Sequence, residues 1–333
     1  VIVMRIIEYV WLDGQYPVPM LRSKIRVAES SGVDVWSFDG SSTYQANPEK
    51  SDLVLNPVRI YWNPFFKNGL LALCEVLNPD RTPHYSNTRR RLAEICDKVR
   101  EEEPSIGMEQ EYVFLRNGWP LGWPQNGYPE PQGKYYCGVG ASRIFGRNIA
   151  EEHLGACLKA GVSIAGMNAE VMPSQWEYQI GPTDPLRAAD DLWISRYILQ
   201  RIAEKYGVDI SFEPKPIEGK WSGSGVHINI SIKSTRNSYY GKEIKGIIKK
   251  MEKYHTYLLT HYGEGNENRL TGDLETCDYN TFKYGEMDRT ASVRIPWRTL
   301  EEKAGYIEDR RPAANMNPYD ALAALLEVIF ELP

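Results

Sequence analysis

Little in this sequence points to disulfides, membranes or nucleic acid. The five cysteines, Cys74, Cys96, Cys137, Cys157 and Cys277, are scattered, odd in number and form no CxxC pair. That argues against a disulfide framework or a cysteine zinc site and favours a reducing compartment. Long hydrophobic runs are missing too. The opening VIVMRIIEYVWLDG is apolar, but acids and a turn break it too early for a membrane span or a secretory signal, which makes the cytoplasm the expected location. Charge of one sign is never blocked: 39 Lys and Arg intersperse with 44 Asp and Glu for a net −5, with no basic patch to argue for nucleic acid. A Walker lysine loop and the kinase signature set are also absent, which excludes the two commonest nucleotide motifs.

What is present suits a soluble globular protein. A 42% apolar and 25% charged composition can bury a core, and 333 residues suit two domains. Residues 1–85 read as short strands and turns: Ile7–Leu12, an Asp13-Gly14 turn, then Leu21–Val27, Val54–Trp62 and Leu70–Leu77, separated by Asn-Pro steps. At Ser86-Asn87 a helical stripe begins with Leu92, Ile95 and Val99, and the domain boundary is placed there, giving domains 1–85 and 86–333. Further on, Thr183-Asp184-Pro185 opens a helix closed by Gly207. Ile244, Ile248, Met251, Tyr254 and Leu258 mark a second helix, and Leu322 to Ile329 a last one.

Four stretches carry chemistry. In Gly107–Phe114, a strand would project Glu109 and Glu111 to one side, and parallel carboxylates repel unless a cation sits between them. A solvated edge strand is the bland alternative, and the pair alone does not choose. Glu170 and Glu177 follow. Around Glu177, Trp176, Tyr178 and Ile180 take one face and Glu177 with Gln179 the other, as a hard-cation site on a half-buried strand requires. Ser222–Ser231 begins with a glycine-bearing turn and continues as a strand, with His227, Asn229 and Ser231 opposite Ile228, Ile230 and Ile232. A satisfied core histidine competes with the ligand reading there. Finally, Arg269, Arg289, Arg294, Arg310 and Arg311 gather late in the chain. Arg289–Pro296 reads as a strand and Glu308–Pro312 as a charged loop. Guanidinium forks suit carboxylate and phosphate, although any one arginine alone reads as a surface ion pair. Five carboxylates, a histidine and several arginines together describe phosphoryl transfer assisted by divalent ions.

The stretches FDGSS (38–42), MEQEY (108–112), GWPQNGYPEPQGKYYCGVGA (122–141), AGMNAEVMPSQWEYQIGP (165–182), GSGVHINIS (223–231), NRLTG (268–272), RTASVRIP (289–296) and GYIEDRRP (305–312) occur in this order. With them the chain resembles the eukaryotic-type (type II) glutamine synthetases along almost its whole length. The resemblance implies an α+β fold: a small N-terminal β-grasp domain, then a larger catalytic domain with a curved antiparallel sheet and flanking helices. It also implies a ring homo-oligomer, a decamer in type II members, with active sites shared between subunits.

By motif, the resemblance assigns Glu111, Glu170 and Glu177 to one Mg²⁺ or Mn²⁺, and Glu109, His227 and Glu308 to a second. Gly223, Arg269 and Arg310 would grip glutamate; Arg289 and Arg294 would meet the phosphates of ATP; Asn229, Ser231 and Tyr306 would lie near the nucleotide. Asp39, from a neighbouring subunit, would take a proton from ammonium, and Glu275 would sit on a flap over the glutamate entrance. The implied reaction is ligation of ammonia to glutamate through γ-glutamyl phosphate, giving glutamine, ADP and phosphate. Three positions depart from the family pattern: Leu274 for a usual His, Ser222 for a usual Asn, and Ser105 for a Trp common in animal members. Leu274 keeps open a sister ligase that uses an organic amine. A scaffold that lost the chemistry should have shed metal ligands, and none is missing.

Overall fold

A computed structural model of the chain describes residues 4–29, 32–237 and 241–332. Strands β1 (Met4–Leu12), β2 (Leu21–Glu29), β3 (Trp36–Asp39), β4 (Asp52–Trp62) and β5 (Leu70–Leu77) form a five-stranded sheet in the order β2-β1-β5-β4-β3. Only the β1–β5 pairing in it is parallel. Side chains alternate across a strand, so β1 serves two cores. Ile7, Tyr9 and Trp11 pack with Phe38, Leu55 and Val76 inside the small sheet's own cluster. Val10, with Leu71, Leu73 and Tyr61, faces the main core. The connection from Asp13 to the return strand at Leu21 is organised by Asp13, whose carboxylate accepts from the backbone of Gln15 and Met20.

A second sheet is built from β6 (Ser105–Arg116), β7 (Trp119–Pro120), β8 (Ile164–Ala169), β9 (Gln175–Thr183), β10 (Asp209–Ser211), β11 (Val226–Ser231), β12 (Tyr284–Glu286), β13 (Val293–Ile295) and β14 (Ile307–Asp309). Its order is β12-β13-β14-β11-β6-β9-β8, with β7 and β10 pairing β6. Only β12 and β13 run parallel in it. The helices are α1 (Thr88–Lys98), α2 (Arg147–Ala160), α3 (Pro185–Tyr206), α4 (Lys233–Asn237), α5 (Lys242–Lys253), α6 (His255–Leu259), α7 (Trp297–Glu302) and α8 (Pro318–Phe330).

Local chemistry sets the helix ends. Asn87 caps α1 and Asp184 caps α3, each side chain accepting from a backbone N–H three residues on; Gly207 closes α3 in the left-handed region. The single helix expected from Ile244 to Leu258 is two, broken at Tyr254. The cause lies outside the local pattern: His255 is tied to the carbonyl of Tyr279 at 2.9 Å and to Arg311 at 2.9 Å, which turns α6 toward the end of β14.

Buried polar contacts join the two sheets through α3. Asp190, fully buried, accepts from Arg59, Arg89 and Tyr319, while Tyr61 donates to Asp191. Glu8 on β1 accepts from Asn63, Tyr197 and Arg201. The small sheet is therefore anchored at charged, hydrogen-bonded points as well as by apolar contact.

Candidate active site

Antiparallel pairing along β6 decides which acids meet. The ladder sets Glu111 opposite Glu177 on β9, and Glu109 opposite His227 on β11. On the far side of β11, Glu308 of β14 faces Asn229 and is also paired with Arg294 of β13. Glu170 enters from the turn just after β8. Two clusters result: Glu111, Glu170 and Glu177 present oxygens within 4.8 Å of one another, and Glu109, His227 and Glu308 present ligand atoms within the same limit. The sequence expectation of a charged loop at Glu308 is corrected here. Glu308 lies on a buried strand, because Ile307 and Asp309 are also buried and ladder pairing satisfies the backbone.

Electrostatics mark the first cluster as strained without a cation. Burial, then the charges of Glu109, Glu111 and Glu170, push the Glu177 carboxyl up to about 9. Burial and the charge of Glu111 push Glu170 to about 8, despite the attraction of Arg289. In the second cluster burial alone would raise Glu109, but hydrogen bonds from His227 at 3.1 Å and Asn229 at 2.8 Å hold it below the usual carboxylate range. Glu308 accepts from Arg294 at 2.7 Å and from Arg310. An all-oxygen cluster beside an oxygen-rich one with a single imidazole is a donor set for hard divalent ions such as Mg²⁺ or Mn²⁺.

Two cavities flank the clusters. The larger, about 580 Å³, is lined by Gly107, Glu109, Gln179, Asn229, Ser231, Arg236 and Tyr306. The Asn229 Oδ1 is buried there without a partner. The smaller, about 40 Å³, brings together Glu111, Glu170, Gly223, His227, Arg269, Glu275, Arg289 and Arg310. Arg269 is buried, donates to the carbonyls of Arg310 and Arg311, and lies against the 223–225 turn. A Cβ on Gly223 would sit 2.1 Å from the Pro214 carbonyl, so that position needs glycine, and one on Gly225 would sit 2.3 Å from the Arg269 Nη2 and displace that side chain. Arg289 reaches Glu275 at 3.1 Å across the mouth of this cavity.

The remaining expected residues divide. Arg294 lies on β13, which is shorter than the strand expected over Arg289–Pro296; Arg289 stands in the loop before it. Arg311 is not a site residue: fully buried, it pairs with Asp309 at 2.7 Å and stacks over Tyr262. Asp39 lines neither cavity. It is exposed at the end of β3, where bonds from Ser41 and Ser42 hold its carboxyl below the ordinary range. Arg236, Gln132 and Gln175 were not singled out by the sequence reading. Arg236 donates to Ser231, Gln132 exchanges two bonds with Ser222, and Gln175 holds the Gly223 carbonyl. Only Gln175 had a usable signal, its alternation with Glu177.

Residues 3–79 match the family model described as glutamine synthetase, beta-Grasp domain, and residues 86–331 match that described as glutamine synthetase, catalytic domain. The chain is 49% identical over 332 residues to a glutamine synthetase of Streptomyces viridochromogenes, covering 96% of this chain and 95% of the relative. It is 47% identical to the cytosolic isozyme 1-1 of Oryza sativa, covering 97% and 93%. It is also 47% identical to the chloroplastic glutamine synthetase of Chlamydomonas reinhardtii, covering 97% and 90%. The fold is similar to that of the Plasmodium falciparum glutamine synthetase solved by cryo-electron microscopy, with a TM-score of 0.80 at 20% identity over 98% of this chain and 71% of that one.

Proposed function

The chain is an enzyme of the glutamine synthetase family, and from that premise we propose that it joins ammonia to the γ-carboxylate of glutamate at the expense of ATP. The observation that carries the reading is the pair of three-ligand clusters meeting along β6, with Glu109 lining the larger cavity and Glu111, Glu170 and His227 lining the smaller. The larger cavity has the size and the polar edge, Asn229, Ser231 and Tyr306, for a nucleotide. The smaller has Gly223, Arg269 and Arg310 for the α-amino acid.

Glu111, Glu170 and Glu177 would hold one Mg²⁺ or Mn²⁺ and Glu109, His227 and Glu308 the second; bound there, the ions would neutralise phosphate charge. The γ-carboxylate oxygen of glutamate attacks the γ-phosphorus of ATP, and the bond to the bridging oxygen of ADP breaks. Arg289, which lines the smaller cavity, and Arg294, which is held beside Glu308, would meet that charge. Ammonium then loses a proton to the carboxylate of Asp39. The ammonia attacks the acyl carbon, the C–O bond to phosphate breaks, and the nitrogen gives its extra proton to the departing phosphate, leaving glutamine. Glu275, already joined to Arg289, closes the entrance so that water does not take the acyl phosphate.

An exposed Asp39 that lines neither cavity of its own chain supports a site completed by a neighbouring subunit, and with it a ring assembly, by family analogy a decamer. No helix among the described residues is long and apolar enough to cross a membrane, and the rice relative, named a cytosolic isozyme, supports a cytosolic location. The names of the three relatives above favour ammonia over an organic amine as acceptor. The deciding experiment is phosphate release from ATP and Mg²⁺ with glutamate, comparing ammonium with small amines. Release that needs both glutamate and ammonium, with glutamine as product, is the expected result; release driven by an organic amine instead would overturn the assignment.

A further inference from the structure

A third cavity, about 460 Å³, lies outside the two described above, between the β1–β2 connection and α3. That volume is within the range of small-molecule sites. Met20 and Leu21 form one wall; Trp193 and Arg196 of α3 and Phe212 form the other. Arg196 is 2% exposed and its guanidinium lies 4.8 Å from the Trp193 ring centre and 5.3 Å from that of Phe212.

The charge of Arg196 is uncompensated. Its Nε donates to Gln110, and Nη1 and Nη2 to the carbonyls of Met316 and Ala314, all neutral acceptors. These three bonds fix the guanidinium but do not neutralise it, and each terminal nitrogen keeps a second N–H. Burial lowers its pKa to about 10, and no carboxylate among the described residues hydrogen-bonds to it. Beside it the indole Nε1 of Trp193 is buried with no partner. A satisfied tether between α3 and β6 accounts for the three bonds. It does not account for a buried guanidinium with only neutral acceptors, next to a buried indole donor without a partner, in residues that line a cavity of this size.

We propose that this cavity binds a small organic monocarboxylate with an apolar body, its carboxylate meeting Arg196 and the Trp193 N–H. Glu213, exposed on the rim, disfavours dianions and phosphate. The residue that Arg196 holds, Gln110, lies between Glu109 and Glu111, so the guanidinium that receives the ligand also braces the strand carrying two of the clustered carboxylates. The proposal does not depend on the ligase reading.

The test is calorimetric titration of the intact protein with 3-phenylpropionate, with glutamate in excess so that the site at Arg269 and Arg310 is occupied. Saturable binding is expected, at least about 10-fold weaker for the uncharged 3-phenylpropanamide and about 10-fold weaker for the acid in Trp193→Phe. Leu21→Trp, which fills the cavity from its half-buried lip, should abolish binding. No saturable binding to the wild type, equal affinity for acid and amide, or wild-type affinity in either folded variant would overturn the proposal. Where Trp193→Phe does not fold, Leu21→Trp decides alone.

Discussion

Glu111 and Glu177 stand directly opposite each other on adjacent antiparallel strands, a cross-strand pair of like charges with Glu170 within ligand distance of both. Like charges in that position destabilise a sheet, and burial with mutual repulsion drives Glu177 up to about 9. A divalent ion reverses the sign of that interaction, which is why the arrangement reads as a binding site and makes the following outcomes measurable.

Glu111→Gln removes one negative charge from the first cluster and leaves the Gly225 N–H an amide oxygen in place of a carboxylate. Phosphate release with glutamate and ammonium should fall on the order of 100-fold or more, with a weaker apparent affinity for Mg²⁺. Near-normal activity would remove Glu111 from the ligand set.

Adding Mn²⁺ to metal-stripped protein should raise the melting temperature by several degrees, since a ligand at about 100 times its dissociation constant stabilises by roughly 2.7 kcal/mol. Glu177→Gln should shrink that rise. An unchanged melting temperature in the wild type would mean that neither cluster binds the ion.

Asp39→Asn tests the division of labour. Formation of the acyl phosphate, followed by trapping with hydroxylamine, should survive better than glutamine formation from ammonium. Equal loss in both assays would count against Asp39 as the proton acceptor.

His153 supplies a pH prediction. Burial holds its pKa down to about 4; its Nε2 faces the Ser195 carbonyl and the Cys157 thiol. The unfolded chain then binds the extra proton between roughly pH 6.5 and 4. Stability from neutral His153 is complete above that window and declines as pH falls through it, by up to about 1.4 kcal/mol per pH unit. Thermal melts across the window should show a shallower slope in His153→Gln; identical slopes would assign the acid sensitivity elsewhere.

Asp190→Asn should be strongly destabilising. The substitution leaves Arg59 and Arg89, both partly buried, without the carboxylate of fully buried Asp190; loss of one partner of a fully buried pair costs roughly 3–5 kcal/mol, and partial exposure places this loss toward or below the lower end. The measurement is the melting temperature of the metal-loaded protein. A change within about a degree would show that these contacts do not anchor the small sheet.

Alternation and capping made much of the fold legible. The strand Leu70–Leu77 and the start of α3 at Pro185 stand where the pattern puts them, because a short apolar run bounded by turn residues and a capping Asp are local signals. The break at Tyr254 and the strand at Glu308 were not legible. The first depends on His255 meeting Tyr279 and Arg311, and the second on pairing with β11 and β13, contacts made by residues distant in sequence.

The site divides in the same way. That Glu109 shares a face with Glu111, and His227 with Asn229 and Ser231, follows from strand geometry alone, and the ordered motifs were sufficient to identify the family. Local pattern could not decide which acid joins which cluster, that Arg311 is spent on Asp309 while Arg310 turns to Glu308, or that Arg196 is buried without a counter-charge. Those outcomes rest on inter-strand register and on the packing of α3 between the sheets. One residue of slip in the β6–β9 ladder would send Glu177 to the opposite face from Glu111.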